Sequence, residues 1–383
     1  MDASNSSTPP GAALPRTPLR VRLQRAFGNG KSVDTPGIMR LRKLVLFSSQ
    51  AFIILFITFA LAEVTLRIYN SIKPLPIFYS TSYNRFRGKP FSFDYESFHL
   101  NSRGFKDVEH STQKAAGTFR ILGIGDSFAF GVVPYADNYL TLLNEELNRN
   151  GKHAELINMG IPGTDPADYL SLFIHEGLEL NSDMVLLSFF IGNDFEEQSR
   201  SLLSYSYAAS AIKFLIDVNT KFEGRIIHGK ATYHDDANTV TDAQYLNLER
   251  ARSSIFLRNN KPFERDVTNS WSHVREMSQI CARQGIRFLV VVIPDELQVN
   301  EQLQQRVIDA SRLPRESFDF GLPNKMLITK FRESDIDYID LRDEFASISR
   351  STSLYKPNDS HWNIAGNRTA SDIIAKHMMA AWE

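Results

Sequence analysis

Short apolar runs and polar turns alternate along the second half of this chain. Such runs are typical of strands buried on both sides, and the segments between them carry apolar residues at helical spacing. This alternation predicts a parallel β-sheet with helices on both faces. The predicted strands are Phe119–Ile124, Ala154–Met159, Met184–Ile191, Ile286–Ile293 and Asp337–Leu341.

The intervening helices are predicted from the same spacing and from their end signals. Asp165 before Pro166 is a typical helix start, and Gly285 is a typical helix end. The predicted helices are one from about Asn138, Pro166–Leu180, Leu202–Val218, Thr239–Arg252, Ser272–Gln284, Gln298–Ala310, Pro323–Glu333 and a last one to about Met379.

An uncharged apolar run, Leu44–Ala62, precedes this region and is long enough to cross a bilayer as a helix. Basic residues, among them Arg42 and Lys43, lie directly before it. The positive-inside rule then places the N-terminus in the cytoplasm and the later chain outside the cytoplasmic (inner) membrane. A cleaved signal peptide is the alternative, because Ala60-Leu61-Ala62 has the small-x-small form of a cleavage site.

These patterns divide the chain into four parts. Residues 1–43 are predicted to be a disordered basic cytoplasmic tail, residues 44–62 a transmembrane helix, and residues 63–118 a linker and N-terminal extension. Residues 119–383 form the α/β domain. Its alternation is interrupted at about 196–262, which we interpret as an insertion, either a lid over a site or a surface elaboration.

Composition excludes several classes of function. The formal net charge of −1 gives no electrostatic reason to expect nucleic-acid binding. Cys281 is the single cysteine, so an intrachain disulfide and a cysteine zinc site are excluded. His228 and His234 follow no metal-ligand spacing, and we expect neither a metal nor an organic cofactor.

Three consecutive predicted strands end in polar turns that contain glycine. The turns hold Ser127, Gly163 and Asn193. Parallel strands joined by right-handed crossovers end at one edge of the sheet, so these turns are expected to converge. His361 follows the last strand and can reach the same edge.

These residue types fit nucleophilic catalysis at an acyl group. A serine hydroxyl needs a base, which would be His361, and the base needs an orienting carboxylate, which would be Asp359. Residues two apart in an extended segment face the same side, as Asp359 and His361 do. The backbone N–H groups of Ser127 and Gly163 and the amide of Asn193 would line an oxyanion hole.

The motifs resemble those of the SGNH (GDSL-like) hydrolases over roughly residues 119–380. Gly125-Asp126-Ser127 is similar to the nucleophile block, Gly163 to the glycine block, Gly192-Asn193-Asp194 to the asparagine block, and Asp359/His361 to the last block. The resemblance implies a flavodoxin-like three-layer α/β/α sandwich with a parallel sheet of about five strands. It also implies hydrolysis or transfer at esters.

The last block departs from the usual Asp-x-x-His, because Asn358 stands at the first Asp position. The sequence offers Asp359-Ser360-His361 instead, followed by Trp362, which is similar to proteins that O-acetylate bacterial polysaccharides. We therefore expect a membrane-anchored serine esterase that acts on an acylated glycan or lipid. An O-acyltransferase for an extracytoplasmic polysaccharide and a non-catalytic glycan-binding module are the alternatives.

Overall fold

A computed structural model describes most of the chain. The described residues are 36–72, 83, 87–88, 90–91, 98–196, 206–221 and 233–381. The chain separates into two compact units, one that ends at Leu61 and one that begins at Ala62. Most of the predicted disordered tail and His228 lie outside the described residues.

The first described helix, α1, runs from Pro36 to Ile72. Its segment Arg42–Tyr69 is long and apolar enough to cross a membrane, with a mean hydropathy of 2.3, and none of its most apolar stretch is buried within the protein. The predicted span, residues 44–62, lies inside this segment. The helix extends beyond that span at both ends, so residues 36–43 of the predicted tail are helical.

The second unit contains the predicted α/β domain, with strands numbered β1–β5 and helices continuing the numbering. The strands are β1 Phe119–Ile124, β2 Ala154–Asn158, β3 Met184–Phe190, β4 Arg287–Ile293 and β5 Asp337–Asp340. The helices are α2 Ser127–Phe130, α3 Tyr139–Arg149, α4 Pro166–Leu172, α5 Tyr207–Lys221, α6 Asp242–Arg252, α7 Lys261–Gln284, α8 Glu296–Val299, α9 Glu301–Ser311, α10 Leu322–Glu333, α11 Arg342–Ile348 and α12 Ile364–Ala380.

The five strands form one parallel sheet in the order β2-β1-β3-β4-β5. The chain first moves outward from β1 to β2 and then crosses back to β3 on the other side of β1. In open parallel sheets such a reversal leaves a crevice at the carboxyl ends of the strands. Ser127, Gly163 and Asn193 follow the strands on either side of that reversal.

Side chains of each strand alternate between two hydrophobic clusters, one on each face of the sheet. In β3, for example, Val185 and Leu187 belong to one cluster and Leu186 to the other. Helices α4, α7 and α10 cover the first face, and α3, α11 and α12 cover the second. The predicted α/β/α sandwich with a five-stranded parallel sheet is therefore confirmed.

Several predicted helix boundaries are wrong, for local reasons. Helix α7 begins at Lys261 and not at the predicted Ser272. The prediction missed the first turns because they are mostly polar and bury only a narrow face. Asn260 caps that start, and Pro262 fits the first turn, where no backbone N–H is needed. The predicted helix Pro166–Leu180 is α-helical only to Leu172 and then continues as π and 3-10 turns.

Other elements differ in the same modest way. The helix predicted at Gln298–Ala310 is two helices, α8 and α9, because Asn300 takes an extended conformation and caps the second. The helix predicted at Thr239–Arg252 begins at Asp242, with Thr241 as its cap. Helix α11 was not predicted, because it is short and buries only Phe345 fully.

Candidate active site

Ser127 lies directly after β1, at the first residue of the short helix α2. Asp126 caps this helix, because its Oδ1 accepts the backbone N–H of Phe128 at 2.9 Å. Asp126 is fully buried, whereas Ser127 is partly exposed. The turn therefore fixes the backbone firmly while its serine hydroxyl stays accessible from the sheet edge.

His361 bridges Ser127 and Asp359, although 234 residues separate it from the serine. Its Nε2 lies 2.7 Å from Oγ of Ser127, and its Nδ1 lies 2.6 Å from Oδ1 of Asp359. Hydrogen bonds from His361 and from Thr239 hold the pKa of Asp359 down to about 2, although burial alone would raise it. An ionised carboxylate only accepts, so Nδ1 carries a proton, and Nε2 is then the acceptor for the Ser127 hydroxyl whenever the ring is neutral.

The loop that carries His361 is fixed by backbone hydrogen bonds between the segments on either side of the histidine. Tyr355 and Trp362 pair as an antiparallel bridge, and the N–H of Lys356 donates to the carbonyl of His361 at 3.0 Å. Asn363 then caps α12 by accepting the N–H of Gly366. The imidazole is thus fixed by backbone hydrogen bonds as well as by its own ring nitrogens.

An aromatic cluster joins this loop to the serine turn. Trp362 is buried and lies edge-on to Phe128, the residue after the serine, with ring centroids 5.0 Å apart. The imidazole of His361 lies 5.2 Å from the same phenylalanine ring. Tyr139 and Phe345 also contact Trp362, so four aromatic side chains fix the distance between the two loops.

Asn193 occupies the tight turn after β3 and is tied to the residue before the serine. Its Nδ2 donates to Oδ2 of Asp126 at 3.3 Å. Asp194, which is fully buried, closes the turn by accepting the N–H of Phe190 and the hydroxyl of Tyr169. Burial, reinforced by the nearby Asp126, raises the pKa of Asp194 well above its ordinary value.

Gly163 lies in the turn after β2 and has a left-handed backbone, with φ of 70°. The structure places it at the same sheet edge as Ser127, and its role in an oxyanion hole stays a prediction. Gly160, in the same turn, was not singled out from the sequence. A methyl group there would overlap the backbone of α2, with the carbonyl carbon of Ala129 at 2.5 Å, so this turn needs a glycine to approach the serine helix.

The sequence did not indicate that the 196–262 insertion contacts the loop that carries Asp359 and His361. Thr239 donates a hydrogen bond from Oγ1 to Oδ2 of Asp359 at 2.6 Å. Asp235 accepts the backbone N–H of Ile364 at 3.0 Å. No local pattern marks Thr239, because its partner lies 120 residues further along the chain.

No group of three or more His, Cys, Asp or Glu side chains that could hold a metal ion occurs among the described residues. Cys281 is buried, and burial raises the pKa of its thiol to about 12, so it stays a neutral thiol at physiological pH.

Comparison with known proteins identifies a family likeness in the second half of the domain. Residues 252–383 match the family model described as the SGNH hydrolase-like domain of the acetyltransferase AlgX. This match confirms the resemblance to SGNH hydrolase-like proteins and includes Asp359 and His361. A search of curated proteins found no match.

Solved structures with a similar arrangement include several esterases. The acetyl xylan esterase AlAXEase is 18% identical, with 69% of this chain and 99% of that chain covered and a TM-score of 0.37. A two-domain esterase active on acetylated mannans is 13% identical, with 69% and 50% covered and a TM-score of 0.40. A lipase/acylhydrolase from Enterococcus faecalis is 14% identical, with 69% and 96% covered and a TM-score of 0.36.

Proposed function

We propose that this protein is a membrane-anchored serine esterase that cleaves acyl esters through an acyl-enzyme on Ser127. One observation carries the proposal. The hydroxyl of Ser127, the two ring nitrogens of His361 and the carboxylate of Asp359 form a continuous chain of hydrogen bonds of 2.7 and 2.6 Å. Such a chain activates a serine toward a carbonyl carbon.

Acylation would begin with attack of Oγ of Ser127 on the ester carbonyl. The serine proton passes to Nε2 of His361, and Asp359 stabilises the imidazolium that forms. When the tetrahedral intermediate collapses, the bond to the alcohol oxygen breaks and the imidazolium returns the proton to it. The acyl group is left on Ser127, and the alcohol departs.

The oxyanion of that intermediate needs fixed donors. The backbone N–H of Ser127, the backbone N–H of Gly163 and the amide of Asn193 are the proposed donors. One hydrogen of the Asn193 amide already bonds to Asp126, and the second is available to an oxyanion. A single donor of this kind contributes roughly 3 kcal/mol to transition-state stabilisation.

A second candidate, acyl transfer to a glycan hydroxyl, is favoured by the match to the AlgX acetyltransferase domain. In both reactions His361 removes a proton from the incoming hydroxyl, which attacks the acyl-enzyme and releases Ser127. Water gives a carboxylic acid, and a sugar hydroxyl gives a new ester. The two activities therefore differ only in which acceptor reaches the acyl-enzyme first.

The site would act at the outer face of the cytoplasmic membrane. α1 supplies one candidate span, Arg42–Tyr69, and the basic residues before Leu44 favour a cytoplasmic N-terminus. The variant Leu313→Cys allows a direct test in intact cells, because Leu313 is exposed whereas the native Cys281 is buried. Reaction with a membrane-impermeant maleimide supports this orientation, and reaction only after lysis contradicts it.

The test of the chemistry uses the full chain in detergent or lipid nanodiscs. We expect p-nitrophenyl acetate turnover and covalent labelling of Ser127 by a fluorophosphonate. Ser127→Ala and His361→Ala should each lose turnover by about 10⁴-fold or more, as in other serine triads. Matched controls are Ser272→Ala and His377→Ala, whose side chains are exposed on α7 and α12.

Two outcomes separate the alternatives. A burst of p-nitrophenol without steady turnover, relieved by an added oligosaccharide, identifies acyl transfer. A folded wild-type protein that neither turns over nor labels at Ser127 contradicts serine chemistry, and it favours the glycan-binding module.

A further inference from the structure

The segment Tyr233–Val240 of the insertion lies against the loop that carries Asp359 and His361. We propose that this segment, here called the clasp, positions the acid–base pair, and that Thr239 is the positioning residue for Asp359. The inference deepens the proposed function and rests on it for its kinetic consequences. It gives part of the insertion a role other than that of a lid.

Four hydrogen bonds join the clasp to the catalytic loop and to the helix that follows it. The N–H of Thr239 donates to the carbonyl of Pro357 at 3.2 Å, and its hydroxyl donates to Asp359 at 2.6 Å. The amide of Asn358 donates to the carbonyl of Val240 at 3.3 Å. Asp235 accepts the first N–H of α12. The clasp thus contacts the loop on both sides of His361.

The two carboxylate oxygens of Asp359 accept hydrogen bonds from different donors. Oδ1 accepts both the backbone N–H and the ring Nδ1–H of His361, and Oδ2 accepts only the hydroxyl of Thr239 among the described contacts. The side chain is 7% exposed, so water has little access to it. If the Thr239 hydroxyl were removed, the largely buried Oδ2 would lose this donor. The carboxylate could then rotate away from the imidazole.

Asn358 ties the clasp to the backbone directly before Asp359. Its backbone is left-handed, with φ of 50°, a conformation that Asn tolerates better than most residues other than glycine. The bond from its side chain to Val240 holds that conformation directly before Asp359. Only Ser360 separates Asp359 from His361, so the loop itself has few residues that can orient the carboxylate. The hydrogen bonds from the clasp orient it in addition.

The charged groups around this pair determine what a pH profile reports. His361 faces Asp359 directly, and Asp126 faces His361 from the serine turn. Glu296, at the start of α8, acts on Asp359 through space, and Lys356 lies over the ring of Tyr233. Loss of the Thr239 donor should let the carboxylate turn away from His361, so that it stabilises the imidazolium less.

The experiment compares Thr239→Val, which keeps the shape and removes the hydroxyl, with Thr239→Ser, which restores it. For Thr239→Val we expect kcat to fall about ten- to hundredfold with little change in KM, the effect of losing one hydrogen bond to a charged group. The acidic limb of kcat/KM should move to lower pH, because the imidazolium is stabilised less. Thr239→Ser should recover most of the activity and the wild-type profile.

Thr241→Val is the matched control, because Thr241 directly follows the clasp but caps α6. It should lower the unfolding temperature and leave kcat and the pH profile unchanged. The proton on Nδ1 of His361, followed by NMR in the full chain with 15N-labelled histidine, gives a readout that needs no turnover. We expect its downfield signal to shift or broaden in Thr239→Val only.

The outcomes distinguish this inference from the proposed function. If wild type is inactive and Ser127 is unlabelled, the proposed function fails, and the NMR comparison still decides the role of Thr239. If wild type is active and Thr239→Val matches it in kcat, pH profile and the His361 signal, the clasp inference is overturned while the esterase stands. Equal losses in Thr239→Val and Thr241→Val also overturn it, because they indicate a general loosening of the segment.

Discussion

Asn193 donates through Nδ2 to Oδ2 of Asp126, so the turn after β3 is fixed by the residue that precedes the serine. The same carboxylate caps α2 through Oδ1. Asp126 therefore sets the position of the proposed nucleophile and of one proposed oxyanion donor together, although it contacts no substrate itself.

Asp126→Asn should separate these two effects. The new amide can keep the cap through its oxygen, and its NH2 group then faces the donor of Asn193, which must turn away. We expect kcat to fall about tenfold to a thousandfold, the range for loss of an oxyanion donor. Stability should change little, because burial already raises the pKa of this carboxyl and its charge is costly in the native state. The rate of fluorophosphonate labelling reports the effect on the reactivity of Ser127, and the unfolding temperature reports the effect on stability.

The carboxylate of Asp359 should contribute pH-dependent stability. Its native pKa of about 2 lies below the ordinary value of 3.8, so the stabilisation is present above about pH 4 and is lost as the pH falls toward 2. The shift corresponds to about 2 kcal/mol. Urea unfolding should show wild type more stable than Asp359→Asn near neutral pH, with a gap that narrows in acid. A gap that stays constant down to about pH 2.5 contradicts the assignment.

Arg120 should be a major contributor to stability, because it is a charged side chain buried within β1. Its guanidinium donates to Glu155 and to the carbonyls of Ser111, Thr112 and Leu180. Arg120→Met leaves those carbonyls without a donor, and we expect a loss of about 3 kcal/mol or more in the free energy of unfolding. Arg287→Met, at the exposed start of β4, is the control and should change it by less than about 1 kcal/mol. Similar losses in both variants would argue against a special role for Arg120.

Gly160→Ala should damage both fold and activity, because the added methyl group meets backbone atoms of α2, which no side-chain rotation can relieve. Gly151→Ala is the comparison, since Gly151 has a left-handed backbone but nothing within 4 Å of an added Cβ. We expect about 1 kcal/mol of destabilisation and normal turnover for Gly151→Ala. For Gly160→Ala we expect a larger loss of stability with a fall in kcat. Normal activity of Gly160→Ala would show that the serine turn tolerates a shift of its neighbour.

The fold was predictable because strand burial leaves a strong local signal. All five strands lie within one residue of their predicted bounds, since each apolar run ends where the chain meets polar turns. Helix starts were less predictable. The first turns of α7 are mostly polar and gain their helical state from a cap and a proline, both of which also occur in loops.

The contacts among Ser127, His361 and Asp359 were predictable for a different reason. Ser127, Asn193 and Gly163 each follow a strand end, and Asp359 and His361 are neighbours in sequence, so short motifs contain the necessary information. Thr239 and Arg120 carry no such signal. Their roles depend on partners that only the folded chain brings near, and an isolated threonine, or an arginine within an apolar run, has no distinctive spacing.

The long sequence separation of Ser127 and His361 has a consequence for biosynthesis. During translation Ser127 is synthesised soon after the first strand, and Asp359 and His361 are synthesised only after all five strands. Until then the hydroxyl lacks a proton acceptor and is as unreactive as any surface alcohol. A chain stopped at residue 355 should therefore leave a fluorophosphonate unconsumed, and under the proposed function it could not cleave an acyl ester before its last segment is made.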